Sequence, residues 1–564
     1  TLQNYFEIPE EERSLSREDD ISIRTNLIRR FLTEQLEYLN VAKDHIGIED
    51  FSKTCDFIVG PGQGVGTLGG KTSGIILAER IIRGEMDRDE DFKGIKFARS
   101  WYLSSDTMRD FIHYNALNEV AHIKYMDPQD IRKEQPFLEQ VFKNGAFTSE
   151  IIAGLREVLR DLEGKPIIVR SSSHLEDSFG AAFSGKYKSL FITNQGSEEK
   201  RLAELMDAIA EVWASTFGPN AIEYRNERGM LDLMEEMGIL IQEVIGTGIG
   251  PYYMPAFAGV AFSSNEFRWS PRIRREDGIL RLVAGLGTRA VDRVADDYPM
   301  LISPNRPELR VNTMVDEAIQ YSQRYMDVIN MEEGFLETVE VQDMFSRYGG
   351  EYPMLNRIVS IHRHGDLVKP RGLILNPKNE EMIVTFDGVI ERPPFIKQIK
   401  KVMKLLEKTL KTPVDIEFAH NGECLYILQC RPQSRAAEAE RVPLPTNIPR
   451  YRKLFEAKRY VTTGHLKNIN YIVYVDPAGY ENLESRENMM KVAEIISELN
   501  NELPKRRFIL MGPGRWGSRG DIKLGVPVQY RDINNTCLLI EIAKRKGGYL
   551  PDLSFGTHFF QALV

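Results

Sequence analysis

A hairpin at residues 414–431 constrains the fold of this chain more strongly than any other segment does. Two apolar strands flank a turn signal, His-Asn-Gly at 420–422. Four polar side chains alternate with the apolar ones: Asp415, Glu417, Gln429 and Arg431. Because side chains two residues apart on a strand share a face, the two acidic residues lie together, and so do the glutamine and the arginine.

The length of the turn decides whether the two polar pairs meet. A two-residue turn at 421–422 would put them on opposite faces. A three-residue loop at 420–422 pairs Asp415 with Ile427 and brings all four polar side chains to one face. That loop needs its last residue in the left-handed region, where Gly422 stands, so we predict a bulged three-residue turn.

The polar face has a chemical interpretation and a plain one. Mg²⁺ is a hard cation that prefers carboxylate and amide oxygens, and the planar fork of an arginine matches a phosphate group. The plain interpretation is a solvated hairpin face that carries an ion pair. The residues alone leave both interpretations open.

A glycine cluster follows a predicted strand at 56–59 and leads into Lys71 and a predicted helix from about Thr72 to Arg83. Strand, glycine loop and helix form a setting in which backbone N–H groups can face a phosphate. The P-loop pattern fails, because it requires a glycine where Val65 stands. Two interpretations remain: a flexible loop with a surface lysine, or a loop that places Lys71 over nucleotide phosphates.

Composition narrows the class of protein. The chain has 564 residues, a formal net charge of −9 and no apolar run long enough for a membrane span, so we expect no membrane and no nucleic-acid partner. Four cysteines are too few for a disulfide framework, which favours free thiols and a cytoplasmic location. The first residue is Thr1 rather than Met, as expected of a fragment or a processed product.

Several segments, taken in order, resemble one family. They are Gly69-Gly70-Lys71, Val169 to Ser173, Glu176 to Phe179, Phe183 to Gly185, Val212 to Phe217, Tyr224-Arg225, Leu240 to Val244, Gly259 to Ser263 and the hairpin strands ending at Arg431. Together, over about residues 55–435, they resemble the nucleotide-binding domain of phosphoenolpyruvate synthase and pyruvate phosphate dikinase.

The resemblance implies an α+β, ATP-grasp fold with two subdomains around a nucleotide. We therefore expect a helical lead-in at 1–50, an N-terminal subdomain at 51–240 and a C-terminal subdomain at 241–434. A proline-containing linker at 435–449 and a smaller α/β domain at 450–564 complete the predicted organisation.

The resemblance also implies roles for individual residues, with ATP and Mg²⁺ as cofactors. Phosphates are held by Lys71, Arg170, Arg225 and Arg431. Mg²⁺ is held by Glu417 and Gln429, and Asp415 orients a ligand or the metal. Adenine is contacted by Gln242, Glu243 and Val244, mostly through their backbone. Phosphoryl transfer depends mainly on positioning and charge stabilisation, which such a set supplies.

The chain departs from the family in two places. The family's Gly-Leu-Gly-Glu segment resembles 284–287 here, but Thr288 and Arg289 follow, so Asp292, Asp296 or Asp297 are candidate replacements for the acid. We find neither the family's phosphohistidine signature nor room for its TIM barrel after residue 435. Those parts are expected beyond Val564 or on another protein.

Other polar residues offer weaker candidates. The glycine loop at 508–518 carries Arg515 and Trp516 and has an anion-binding or a structural interpretation. His558, among aromatic neighbours, is a structural histidine or a phosphoryl acceptor. His362 and His364, predicted on one strand face with Asp366 nearby, form either a metal pair or an ordinary surface. His465 is expected in a loop.

Three functions follow from these residues. The leading prediction is an ATP-dependent phosphotransferase of dikinase type, whose unidentified acceptor is His558, a missing domain or another protein. An ATP-grasp carboxylate ligase would use the same site. An ATP-sensing regulatory module without turnover is the third, and the altered 284–289 segment favours it.

Overall fold

The computed structural model describes residues 15–60, 66–176, 185–233, 235–265, 268–270, 272–291, 297–370, 380–433, 448–453, 466–514, 516–517 and 525–542. These residues form a mixed α+β fold. The helices are α1 (Arg17–Phe31), α2 (Leu36–His45), α3 (Ile48–Cys55), α4 (Gly70–Met86), α5 (Ser105–Tyr114), α6 (Pro128–Lys143), α7 (Ser149–Asp161), α8 (Glu198–Ala214), α9 (Pro219–Glu227), α10 (Thr288–Val291), α11 (Val315–Gln320), α12 (Val341–Tyr348), α13 (Leu355–Ile358), α14 (Asp387–Glu391), α15 (Phe395–Leu410), α16 (Pro477–Glu481) and α17 (Arg486–Glu502).

Short strands separate these helices along the chain. They are β1 (Ile58–Val59), β2 (Ile95–Phe97), β3 (Ser100–Leu103), β4 (Ile167–Ser173), β5 (Ser189–Ile192), β6 (Met237–Glu243), β7 (Thr247–Ile249), β8 (Tyr252–Met254), β9 (Phe257–Phe262), β10 (Ile279–Ala284), β11 (Met300–Ile302), β12 (Tyr325–Asn330), β13 (Phe335–Glu340), β14 (Val359–Arg363), β15 (Asp366–Val368), β16 (Glu381–Val384), β17 (Val414–His420), β18 (Leu425–Pro432), β19 (Tyr471–Tyr474), β20 (Phe508–Pro513) and β21 (Leu538–Ile542).

The chain forms two compact units, each built from three segments. The first contains Thr1–Pro255, Val328–Glu337 and Lys397–Pro432. The second contains Ala256–Asp327, Thr338–Ile396 and Gln433–Val564. The predicted subdomain boundaries and the ATP-grasp topology stay predictions, whereas the α+β class is confirmed.

The first unit is organised around a sheet in the order β1-β3-β6-β4-β5. β1 and β3 run parallel, and the other neighbours are antiparallel. β4 and β6 pair along their full lengths, from Ile167 opposite Glu243 to Ser173 opposite Met237. Both strands are almost wholly buried, so the polar end of β4 is held inside the unit.

A second group of strands in the first unit joins β17, β18 and β2. β17 and β18 are antiparallel, and β18 runs parallel to β2. β7 and β8 form a small hairpin, on which Ile329 and Asn330 pair with β8. The hairpin predicted at 414–431 is therefore the β17–β18 pair.

Aromatic and aliphatic side chains fill the core of the first unit. The ring of Trp213, on α8, lies 5.1 Å from that of Phe111 and 5.7 Å from that of Phe147. The predicted lead-in segment contains α1 and α2. It is tied to the glycine loop, because the Leu68 N–H donates to the Phe31 carbonyl at 2.7 Å.

The second unit contains three further groups of strands. β10 is antiparallel to β9 and β11, and β14 is antiparallel to β15 and β16. In the C-terminal region β19, β20 and β21 are parallel and pack on α17, with Trp516 fully buried in that core. Within the described residues, no helix combines the length and hydropathy that a bilayer crossing requires.

One expectation about local structure is wrong. The periodicity at 313–350 predicts a helical segment, but β12 and β13 occupy 325–330 and 335–340, and only α11 and α12 flank them. Gly334 has φ +86° and makes the turn between the strands. Pairing of β12 with β8 outweighs helix propensity there.

Candidate functional site

Lys71 lies in the first turn of α4 and is buried against the end of β4. Its Nζ donates to Ser171 Oγ at 3.1 Å and forms an ion pair with Glu176. Ser171 Oγ in turn donates to Glu176 Oε1 at 3.0 Å. Because all three residues are at most 9% exposed, the lysine has a fixed position.

Gly69 and Gly70 allow this close approach. A Cβ on Gly69 would lie 1.7 Å from the Ser172 carbonyl oxygen, and one on Gly70 would lie 1.7 Å from the Glu176 carbonyl oxygen. Gly69 also has φ +80°, which disfavours any side chain. The start of α4 thus packs backbone to backbone on β4, and the two glycines of the sequence motif are required for it.

Arg170 links β4 to the β17–β18 hairpin. Its Nη2 lies 2.6 Å from Glu417 Oε2 and 2.6 Å from Gln429 Oε1. Glu417 is paired directly with Gln429 across the two strands. The guanidinium of Arg170 therefore contacts two oxygen atoms on neighbouring strands. They belong to residues that lie 247 and 259 positions away in the sequence.

The hairpin presents its polar residues on one face, but the predicted register is wrong. Asp415 pairs with Arg431 rather than with Ile427. The turn spans 421–424 rather than 420–422, because Asn421 Oδ1 accepts from the two N–H groups of residues 423 and 424. A four-residue turn alone would separate the polar pairs. An irregularity between Glu417 and Phe418, with an extra residue on β18, restores the shared face.

Asp415 and Arg431 form a buried ion pair on this face. Arg431 Nε and Nη2 lie 2.8 and 2.6 Å from the same carboxylate oxygen, Asp415 Oδ2. Asp415 is 3% exposed and Arg431 8%. Asp415 therefore fixes the orientation of the Arg431 guanidinium, which lies opposite it on the neighbouring strand.

The helix that carries Lys71 packs on the strand that carries Gln429 and Arg431. A Cβ on Gly74 would lie 2.2 Å from the carbonyl oxygen of Cys430, so α4 and β18 touch through their backbones. The structure thus places Arg170 against Glu417 and Gln429, and Asp415 against Arg431 on the same hairpin, all within the first unit. Lys71 is linked to them through the packing of α4 on β18.

The donor set suits Mg²⁺ better than a transition metal. Glu417 and Gln429 offer two oxygens that already contact one cation, the guanidinium of Arg170. Among the described residues, no group of three or more histidine, cysteine, aspartate or glutamate side chains could form a protein-only metal site. Mg²⁺ commonly takes one or two protein oxygens and completes its shell with phosphate and water, and these residues fit that need.

Arg225 occupies a neighbouring buried network. Its Nη1 pairs with Glu235 Oε2 at 2.7 Å, and its Nη2 donates to the Thr216 carbonyl at 2.8 Å. Glu235 also accepts hydrogen bonds from Ser173, at the end of β4, and from Tyr187. Arg225 is thus connected to β4 through one carboxylate, and its predicted phosphate contact stays a prediction.

Hydrogen bonds hold the segment that is predicted to bind adenine, Gln242 to Val244, along its whole length. Gln242 Nε2 donates to Ser100 Oγ at 3.2 Å. The N–H groups of Glu243 and Val244 donate to the carbonyls of Arg99 and Pro166, both at 2.9 Å. The Glu243 carboxylate accepts from the Arg99 N–H and pairs with Lys165. These two backbone N–H groups therefore already have partners.

The altered glycine segment in the second unit is held by a buried network. Thr288 Oγ1 donates to Asp327 Oδ2 at 2.7 Å, and Arg289 pairs with Asp327 at 2.9 Å and with Asp297 at 2.8 Å. Burial raises the pKa of Asp297. Asp327 is a carboxylate next to Thr288 that sequence reasoning missed, because it lies on a distant strand.

The remaining sequence candidates are a predicted histidine pair and several residues that lie outside the described part of the chain. His362 lies on β14, and its Nδ1 is 2.6 Å from Oε2 of Glu381 on the neighbouring β16. His364 has φ +52° in the turn that follows β14, so the predicted shared face for these histidines is wrong. Candidates outside the described residues are Asp292, Asp296, Arg515, His465, His558 and most of the 435–449 linker.

Comparison with known proteins points to one family. The chain matches the model of the pyruvate phosphate dikinase AMP/ATP-binding domain over residues 65–450. It is 24% identical over 331 residues to the uncharacterized phosphotransferase YvkC of Bacillus subtilis, covering 57% of this chain and 32% of that protein. It is 23% identical over 340 residues to a probable phosphoenolpyruvate synthase of Archaeoglobus fulgidus, covering 58% and 36%. The chain thus spans about a third of the length of these relatives.

Proposed function

Because this chain belongs to the pyruvate phosphate dikinase AMP/ATP-binding domain family, we propose that it binds Mg²⁺-ATP within an ATP-grasp fold and transfers a phosphoryl group from it. The observation that carries the proposal is the position of Arg170 Nη2, 2.6 Å from both Glu417 Oε2 and Gln429 Oε1. The buried guanidinium of Arg170 and two side-chain oxygen atoms from a distant segment meet there, on the hairpin against which the helix carrying Lys71 packs.

In this proposal the residues exchange their present partners for phosphate oxygens. Lys71 would exchange Glu176 for a phosphate, and Glu417 and Gln429 would exchange Arg170 for Mg²⁺. Magnesium would supply charge neutralisation at the phosphate groups. Arg431, oriented by Asp415, presents a second guanidinium to phosphate. Fixed cations of this kind stabilise the charge that develops during phosphoryl transfer.

The acceptor lies outside what these residues define. A histidine of another segment or another protein is the acceptor that we favour, since the relatives carry the names phosphotransferase and phosphoenolpyruvate synthase. The four cysteines are free thiols, which supports a reducing, cytoplasmic location within the same proposal.

Incubation with ATP labelled at the β- or γ-phosphate tests the proposal. We expect AMP and inorganic phosphate to form, with acid-labile label on a histidine of the chain or of an added acceptor. ADP formed only with an added acid and amine would favour the ligase. Tight ATP binding without any product would favour the sensor.

Two variants test the site itself. Glu417→Ala should abolish Mg²⁺-dependent turnover, because it removes the only acidic member of the predicted metal pair. Lys71→Ala should weaken ATP binding, because one phosphate cation is lost. Full activity of Glu417→Ala would contradict its metal role, and an unchanged ATP affinity of Lys71→Ala would remove that lysine from the site.

A further inference from the structure

Three helices, α1 to α3, precede the glycine loop, and each of them contacts that loop or the helix that follows it. The Phe31 carbonyl, at the end of α1, accepts from the Leu68 N–H at 2.7 Å. On α3, Asp50 Oδ1 lies 2.9 Å from Nη1 of Arg80 on α4. The match to the dikinase domain begins only at residue 65. These contacts therefore come from a part of the chain that the matched domain does not include.

Tyr38, on α2, makes the contact that lies nearest in sequence to Lys71. It is 5% exposed, and its hydroxyl donates to the Ser73 carbonyl in the first turn of α4 at 2.8 Å. Burial raises the pKa of the Tyr38 hydroxyl far above its usual value, so the group stays protonated and acts as a donor. Ser73 is also held within its own helix, because its Oγ donates to the Gly69 carbonyl at 2.7 Å. Tyr38 thus contacts the turn that carries Lys71.

The bond from Tyr38 adds to the hydrogen bonds of α4 and does not replace one of them. In an α-helix the Ser73 carbonyl accepts from the N–H four residues later, at Leu77, and its oxygen has a second lone pair for the tyrosine. Loss of the Tyr38 hydroxyl would therefore leave α4 helical. It would remove one of the contacts that fix where the first turn of α4 lies.

The residue after Ser73 fixes the same part of α4 against the hairpin. A Cβ on Gly74 would lie 2.2 Å from the Cys430 carbonyl oxygen, so the helix approaches β18 at backbone distance there. The start of α4 is thus held by α2 through residue 73 and by β18 through residue 74. Because Lys71 belongs to this turn, the position of the turn limits which groups its Nζ can reach.

We infer that Tyr38 is a positioning residue for Lys71, which it serves by fixing the first turn of α4 through the Ser73 carbonyl. Lys71 then keeps its place when it exchanges Glu176 for a phosphate of ATP. The inference rests on the proposed function, because the phosphate contact of Lys71 belongs to that proposal. A merely structural tyrosine would affect the free energy of unfolding but not the affinity for ATP.

Titration calorimetry with Mg²⁺-ATP compares the unaltered chain, Tyr38→Phe and the matched control Tyr480→Phe. Tyr480 is 3% exposed, and its hydroxyl also donates to a backbone carbonyl, that of Gly525 at 3.2 Å, but in the C-terminal core of the second unit. Both variants should lower the urea midpoint, because each loses one buried hydrogen bond. Only Tyr38→Phe should weaken ATP binding, by about three- to five-fold, because the binding-competent position of the turn is then only partly populated. Tyr480→Phe should stay within about 1.5-fold of the unaltered chain.

A double-mutant cycle shows whether the effect passes through Lys71. In a Lys71→Ala background, titrated at high ATP concentration, adding Tyr38→Phe should change the affinity by less than about 1.5-fold, because the residue that Tyr38 positions is gone. An unchanged ATP affinity of Tyr38→Phe, or the same weakening with and without Lys71, would overturn this inference alone. Absence of ATP binding by the unaltered chain would overturn the proposed function and this inference together.

Discussion

Replacement of Gly74 by alanine tests whether α4 packs on β18 at backbone distance. In an exposed helix interior, glycine to alanine raises stability by about 0.5–1 kcal/mol. At Gly74 the new Cβ would lie 2.2 Å from the carbonyl oxygen of Cys430. The helix and the strand must then move apart by about 1 Å, and overpacking of this kind costs about 1–3 kcal/mol.

Gly84 provides a matched control in the same helix, because a Cβ there meets nothing within 4 Å. Gly84→Ala should therefore gain about 0.5–1 kcal/mol, and Gly74→Ala should lose stability. Because both variants gain the same helix propensity, the expected difference in free energy of unfolding between them is the overpacking cost of about 1–3 kcal/mol. Gly74→Ala should also weaken ATP binding, since the shift separates Lys71 from Gln429.

Urea unfolding, monitored by tryptophan fluorescence, measures the difference in free energy of unfolding between the two variants. Calorimetry measures their affinity for ATP. The midpoint of Gly84→Ala should lie above that of the unaltered protein, and that of Gly74→Ala below it. If both alanine variants were stabilised equally, α4 and β18 would not be in backbone contact and the described site would lose its support.

Three other predictions concern charged groups. Glu417→Gln should raise the Mg²⁺ concentration needed for half-maximal turnover by about ten-fold, because a neutral amide replaces a carboxylate ligand; an unchanged Mg²⁺ titration would contradict this. Glu235→Gln should lower the free energy of unfolding by about 3 kcal/mol, since it leaves the buried Arg225 without its ion-pair partner, and urea titration measures the loss. Lys186→Met should stabilise the free protein most below pH 7, where the unaltered chain keeps a proton that burial disfavours, and the gain should shrink as pH rises toward 10; a gain that grows with pH in thermal unfolding would contradict the lowered pKa of Lys186.

Local sequence patterns predicted the elements of the site better than their exact pairing. The glycines at 69 and 70 and the alternation at 414–431 correctly placed α4 and the β17–β18 hairpin. The register was mispredicted, because the Asn421 side chain stabilises a four-residue turn and an extra residue on β18 compensates for it. A turn and an irregularity that offset one another leave the alternation pattern unchanged, so the pattern alone does not reveal either.

Long-range partners were beyond the reach of local patterns. Glu235 gives no local signal of its pairing with Arg225, and Asp327 gives none of its bond to Thr288. The strands at 325–340 were missed because their pairing, rather than their own propensity, decides their conformation. Only the family resemblance indicated that Arg170 would meet the hairpin.

A crystal structure with Mn²⁺ and a non-hydrolysable ATP analogue would show whether metal and triphosphate bind at the β17–β18 hairpin. We expect an anomalous peak about 2.1 Å from oxygens of both Glu417 and Gln429, with triphosphate oxygens in the same shell and Lys71 and Arg170 on the phosphates. A metal bound away from the β17–β18 hairpin, or a triphosphate out of reach of Lys71 and Arg170, would contradict this expectation.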